Sequence, residues 1–253
     1  MPRINQLIAF VDDAVPSARL VEQADALGIR LEPLTGHVPV LPVPCVVVGI
    51  ASHERVLRGL QAPSCGFVEW SLSDGLPLSP SCIEHAALGG HVLSLNTRAA
   101  YDLDAANLFT QALAARFPHL DPIIGDIELA LAEGVANAII HGNLGIGSKM
   151  RNDLQGFAKF QATLSSRLND ADMTFRRLEI SAVPRADSLL EISVMDQGDG
   201  YDSTAQMGRS AEIEAKCGRG LGLIRQLAHQ VEARNGGRCL VMSFRSPPLL
   251  NQR

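Results

Sequence analysis

Apolar positions along the chain switch between strand and helix periods. Residues 4–11 (INQLIAFV) form a short apolar run cut off by Asp12 and Asp13, which predicts a buried strand. From Ser17 to Leu27 the apolar residues Leu20, Val21, Ala24 and Leu27 fall at helical spacing, with Gly28 as the stop. Ile29 to Leu34 predicts a second strand. The stretch HVPVLPVP that follows cannot hold a helix, because proline lacks an amide donor and clashes with the preceding turn. Cys45–Ala51 (CVVVGIA) is a continuous apolar run of the kind buried on both faces of a parallel sheet. Ser52 then caps a helix, HERVLRGLQA. Gly66–Leu72 (GFVEWSL) predicts another strand, and SPSCIEHAAL another helix with Pro80 near its start. Strands alternating with helices predict a small parallel α/β unit over residues 1–88.

The pattern changes at Leu88–Gly90, and a second unit is expected over residues 91–245, with 246–253 as a tail. His91–Asn96 alternates like a half-buried strand, and Asp104–Phe117 has helical spacing. Pro118 and Pro122 separate that helix from the next, Asp126–Asn143 (DIELALAEGVANAIIHGN). This one carries Glu133, Asn137 and His141 at four-residue steps. Side chains four apart drift only about 40° around a helix, so the three share one stripe. An acid, an amide and an imidazole so arranged are costly unless solvated or engaged by a ligand. Residues 144–176 keep apolar residues at helical spacing within a charged background, and predict a long amphipathic helix or a helical pair. Arg177–Val183 and Leu189–Asp196 predict an antiparallel pair across PRADS. GRGLGLIRQLAHQV predicts a glycine-led helix, and Cys239–Phe244 the last strand.

Composition narrows the class. At 253 residues, 46% hydrophobic and 19% charged with a net charge of −5, the chain reads as an ordinary globular protein. A nucleic-acid binder would need a clustered basic surface, so nucleic acid is not an expected partner. Cys45, Cys65, Cys82, Cys217 and Cys239 are odd in number and form no CxxC, which predicts reduced, mostly buried thiols. The N-terminal apolar run is too short for a signal peptide, and no segment approaches the roughly 18 apolar residues of a membrane span. A cytoplasmic location away from membranes is expected.

The candidate chemistry lies in three boxes: the Glu133–Asn137–His141 stripe, the turn Asp196-Gln-Gly198-Asp-Gly200, and Gly218, Gly220 and Gly222 leading into a helix. Singly, each has a plain reading: a solvated helix face, a strand-to-loop turn, a flexible helix entry. The third box does not have the G-x-G-x-x-G dinucleotide spacing, and no Gly-Lys pair exists to make a Walker A loop.

In this order the boxes resemble the GHKL ATPase superfamily over about residues 91–245. ALAEGVANAIIHGN is similar to the N box of the RsbW-type anti-sigma factors with serine-kinase activity. The resemblance implies a Bergerat α/β sandwich, a mixed and largely antiparallel sheet with helices on one face, and the cofactors ATP and Mg²⁺. By the same resemblance Glu133 is the general base, while Asn137 offers a hard amide oxygen to Mg²⁺. Asp196 would accept from the adenine amino group, with Gly198 and Gly200 permitting close approach. Gly218, Arg219, Gly220 and Gly222 would cradle phosphates at a helix start. His141 is expected to be structural. The chain departs from compact anti-sigma kinases in its insertion, residues 144–176. Its lid, residues 201–217, is short, and no H box precedes the domain.

Residues 1–88 resemble a shortened response-regulator receiver domain, on VVVGIASHERVLRGLQAPSCGFVEWSLSDGLP and the Asp12–Asp13 pair. The phosphorylation chemistry is missing. No Asp occurs between Asp25 and Asp74, and no Lys precedes Lys149. The resemblances imply a serine/threonine protein kinase of bacterial signal transduction acting on a protein partner, such as an anti-sigma-factor antagonist or a sigma factor, and they allow a homodimer. The alternative is a non-catalytic, nucleotide-dependent module that sequesters a signalling partner.

Overall fold

The computed structural model describes residues 7–12, 17–71, 77–147, 154–186, 188–200 and 219–245. Its first half alternates strands and helices: β1 (Ile8–Val11), α1 (Ala18–Leu27), β2 (Arg30–Pro33), β3 (Cys45–Gly49), α2 (His53–Leu60), β4 (Gly66–Glu69), α3 (Pro80–Ala87) and β5 (His91–Asn96). The helix ends follow from local chemistry. Ser17, Ser52 and Ser79 each accept a first-turn amide with the side-chain oxygen, and Gly28 closes α1 in the left-handed conformation.

Two short helices follow, α4 (Thr97–Asp102) and α5 (Ala105–Arg116), and a 3₁₀ turn at Pro118–Ile123 leads into α6 (Ile124–Asn137). Then come α7 (Leu154–Leu168), α8 (Ala171–Thr174), β6 (Arg177–Arg185), β7 (Leu189–Met195), α9 (Arg219–Leu227), β8 (Gln230–Arg234) and β9 (Cys239–Arg245).

The nine strands among the described residues join one sheet in the order β2-β1-β3-β4-β5-β6-β7-β9-β8. The first five run parallel, in the order of flavodoxin-like doubly wound sheets. From β5 onward every pairing is antiparallel. Strand β5 belongs to both halves, since Leu93 lies between Phe67 of β4 and Ile180 of β6. The expected boundary at residues 88–90 therefore falls inside an unbroken sheet.

One core also crosses it, running from Val47 and Phe67 through Leu93, Phe109 and Leu131 to Ile180, Ile192 and Met242. Helices α2, α5 and α6 cover that face. Helices α1 and α3 close a second core, with Val46, Val48, Val68 and Val92, on the other.

Three differences from the sequence reading have physical causes. Asp104 takes a left-handed conformation (φ 51) and starts α5, so α4 forms separately before it, capped by Asn96. The helix expected to reach Asn143 stays α-helical only to Asn137 and finishes as a π-helical turn, Ala138–Asn143. Of the two forms expected for the insertion, the helical pair is the one present, with Asp170 capping the new turn at α8. The helix expected to continue through Val231 ends at Leu227. Residues 230–234 instead pair with β9, Val231 opposite Met242, as an edge strand in which cross-strand packing overrides helical spacing.

Candidate active site

Helix α6 carries the site because its small apolar face lies directly on the sheet. Gly134 faces β7 and β9 so closely that an added β-carbon would sit 3.5 Å from both Val194 Cγ2 and Leu240 Cδ2. Ile127, Ala130, Leu131 and Val135 are buried around it, leaving Glu133 and Asn137 on the half-buried flank. Helix α9 packs along that flank. A β-carbon on Gly220 would overlap Glu133 Oε2 and come within 3.4 Å of Asn137 Nδ2. The first turn of α9 thus begins over the acid and the amide. Amides of a helix's first turn have no acceptor within the helix and carry its positive end, so this arrangement favours an anion. A β-carbon on Gly222 would meet nothing within 4 Å among the described residues. Gly218, the Arg219 side chain and the expected lid lie outside the described residues.

The second cluster forms where the π turn meets the end of β7. Gly142 lies against Asp196, whose Cγ would be 2.5 Å from a β-carbon on the glycine. Gly198 lies on the Gly142 carbonyl with the same lack of room, and its amide donates to Asp196 Oδ1 at 2.8 Å. Gly200, at φ 73, abuts the Gly236 carbonyl. Burial raises the Asp196 carboxyl to a pKa of about 6, against the lowering effects of the Gly198 amide and of Arg238 and Arg176. Asn137 and Gly142 stand five positions apart on one continuous helix, across the junction of its α and π parts. The acid–amide cluster and the Asp196 turn therefore sit side by side on one helix.

His141, expected to be structural, has its Nδ1 2.5 Å from the Ile146 carbonyl oxygen, within the turn that ends the helix. Sequence reasoning left Asn143 without a role. It is fully buried, and its amide nitrogen donates to Thr97 Oγ1 at 2.8 Å and to the Arg177 carbonyl at 3.1 Å. Its Oδ1 accepts the Gln197 amide at 2.8 Å. The signal in the sequence was the Gly142-Asn143 pair closing the helix. Only the fold shows that this pair faces Asp196.

The donor chemistry fits a nucleotide with Mg²⁺. Asn137 and Glu133 offer hard oxygens, and no group of three or more His, Cys, Asp or Glu side chains that could hold a metal occurs among the described residues. Mg²⁺ commonly takes only one or two protein ligands and completes its shell with phosphate oxygens and water, which suits so sparse a set.

A helix-backed antiparallel sheet, with an acid and an amide beneath one helix start and an aspartate–glycine turn alongside, defines a GHKL-type ATPase sandwich. Residues 96–244 match the histidine kinase-like ATPase domain family, and the chain belongs to that family. No curated protein matches the chain significantly.

Proposed function

We propose that the protein is an ATP-binding regulator that phosphorylates a serine or threonine on a protein partner, such as an anti-sigma-factor antagonist. The observation that carries this reading is the placing of Glu133 and Asn137 under the first turn of α9, against Gly220. In this reading the Asp196 carboxylate accepts from the adenine amino group, and the α9 amides hold the phosphates. Asn137 presents its amide oxygen to Mg²⁺, which would neutralise phosphate charge. Glu133 takes the proton of the partner's hydroxyl as that oxygen bonds the γ-phosphorus. The β–γ bridging P–O bond breaks, and ADP leaves.

The parallel half serves as a docking or regulatory surface. Its strand order supports a receiver-like origin. So does Asp12, which stands at the end of β1 but faces Arg58 at 3.0 Å and Arg55 at 3.2 Å. Two guanidinium groups there take the place of a cation, in keeping with a unit that is not phosphorylated. No helix among the described residues is long and apolar enough to cross a membrane, and we place the protein in the cytoplasm.

Incubation with labelled ATP, Mg²⁺ and a candidate antagonist tests the reading. Transfer is expected from the natural protein. Glu133→Gln should retain ATP binding and lose transfer by about 10²–10⁴-fold, and Asn137→Ala should lose binding. Equal transfer in the variants would remove these residues from the mechanism. Mg²⁺-dependent ATP binding without transfer to any partner would favour the sequestering module.

A further inference from the structure

We infer that Asn143 is a positioning residue of the adenine subsite, acting through the Asp196 turn; the inference rests on the ATP-binding reading above. The Asn143 side chain, itself fully buried, is the hub of a set of buried and half-buried hydrogen bonds joining four segments that are distant in sequence. It takes the Gln197 amide, the residue immediately after Asp196, on its Oδ1. Its Nδ2 is fixed by Thr97 Oγ1, whose own hydroxyl donates to the Arg176 carbonyl at 2.8 Å. The Gln197 side chain returns to β6 by accepting the Arg177 amide at 2.8 Å. Arg176 Nη1 donates to the Asn143 carbonyl at 2.9 Å.

An asparagine is the residue this position needs. It must accept from one side and donate twice from the other, with no charge in a fully buried place beside a carboxylate. An aspartate could not donate and would add a second negative group near Asp196. The network also reaches past the site. The Arg177 guanidinium donates to the Glu69 carbonyl at 3.2 Å, to the Pro77 carbonyl at 2.5 Å and to Ser94 Oγ. The turn that orients Asp196 is thereby braced on the ends of β4 and β5, in the parallel half of the sheet.

A residue that merely holds the fold would affect every ligand alike, whereas a residue that aims Asp196 affects the base and spares the phosphates. The experiment compares Mg²⁺·ATP with Mg²⁺·tripolyphosphate, by calorimetry on the full chain, for Asn143→Ala and Thr97→Val. The second variant keeps the side-chain shape and removes only the hydroxyl. Asn143→Ala should weaken ATP at least tenfold and tripolyphosphate less than twofold, with Thr97→Val shifting both in the same sense but less. In an Asp196→Ala background the Asn143 substitution should have no further effect on ATP.

Amide exchange in the nucleotide-free protein supplies a readout independent of ATP. The Gln197 and Gly198 amides should lose protection while those of β6 and β7 keep it. Parallel loss of both ligands, unchanged ATP affinity, or additivity with Asp196→Ala would overturn the inference. If the natural protein bound no ATP, the functional reading would fall, and unaltered exchange at Gln197 and Gly198 would then refute the positioning role on its own.

Discussion

Gly220 rests against the Glu133 carboxylate with no space for a β-carbon between them. This contact sets the start of α9 directly over the acid on α6. Gly222, two residues on, has open space where its side chain would be among the described residues. The two glycines should respond differently to the same substitution. Gly222→Ala should gain helix propensity and raise stability by about 0.5–1 kcal/mol in a denaturant titration. Gly220→Ala should show no such gain and should lower ATP affinity tenfold or more, because the helix must lift away from Glu133. Unchanged ATP affinity in Gly220→Ala would mean that the contact does not set the site.

Asp196 should make nucleotide binding sensitive to acid. Its carboxyl is raised to about 6 from a reference of 3.8, chiefly by burial. An ionised carboxylate is the better acceptor for an amino group, so ATP affinity should fall as pH drops below about 6. The effect on folding has the opposite sign. A folded-state pKa above the unfolded one means that the native protein binds the proton more tightly, so this group's contribution falls as pH rises from about 4 to about 6 and stays unfavourable at neutral pH. Asp196→Asn should therefore melt higher than the natural protein at pH 7.5 while losing ATP. Thermal unfolding and calorimetry at pH 5 and 7.5 check both parts.

His91 titrates the other way. It is fully buried against Phe109, with ring centroids 5.3 Å apart. Burial, aided by Arg116, pushes its pKa down to about 3 from 6.5. The folded protein keeps the ring neutral while the unfolded chain protonates below about 6.5. Its contribution to stability is thus full above that pH and is lost as pH falls toward 3. Substituting His91→Leu should flatten the acid limb of the stability curve. A curve with unchanged slope between pH 4 and 6 would assign that limb to other groups.

Arg177 is a buried cation whose removal should be costly. Its guanidinium satisfies the carbonyls of Glu69 and Pro77, and the carboxylates of Glu69 and Glu179 lie near it. Arg177→Met leaves those groups without their donor. The expected loss is about 3–5 kcal/mol in urea unfolding, the usual range for breaking a buried charge pair from one side. A loss below about 1 kcal/mol would show that water replaces the guanidinium.

The elements with strong local signals were legible in the sequence. Ser17 with Gly28, Ser52 with its helix, and the CVVVGIA run all carry their own boundaries, and α6 announced itself by spacing alone. The Glu133–Asn137 pair was readable for the same reason: four residues on a helix fix a relation in space. Gly142, Asn143, Thr97 and Gln197 were not readable together, because their relation depends on β5, α6, β6 and β7 meeting. Asn143 stands 46 residues from Thr97 and 54 from Gln197, and no local period connects them. The edge strand at residues 230–234 was hidden for a different reason. Its helix-compatible residues become a strand only because β9 offers a partner.

Strand β5 has a practical consequence for anyone wishing to divide this protein. Cutting at Gly89–Gly90 would free the antiparallel half with one side of β5 stripped of its partner, β4, leaving its amides and carbonyls open to other chains. The face of β5 and α5 that now packs on Phe67 and Val56 would be bared with it. Such a fragment would tend to associate through that edge, and its solubility would report on the cut, not on the intact protein. Truncations meant to isolate the ATPase half are better replaced by point substitutions within the intact sheet.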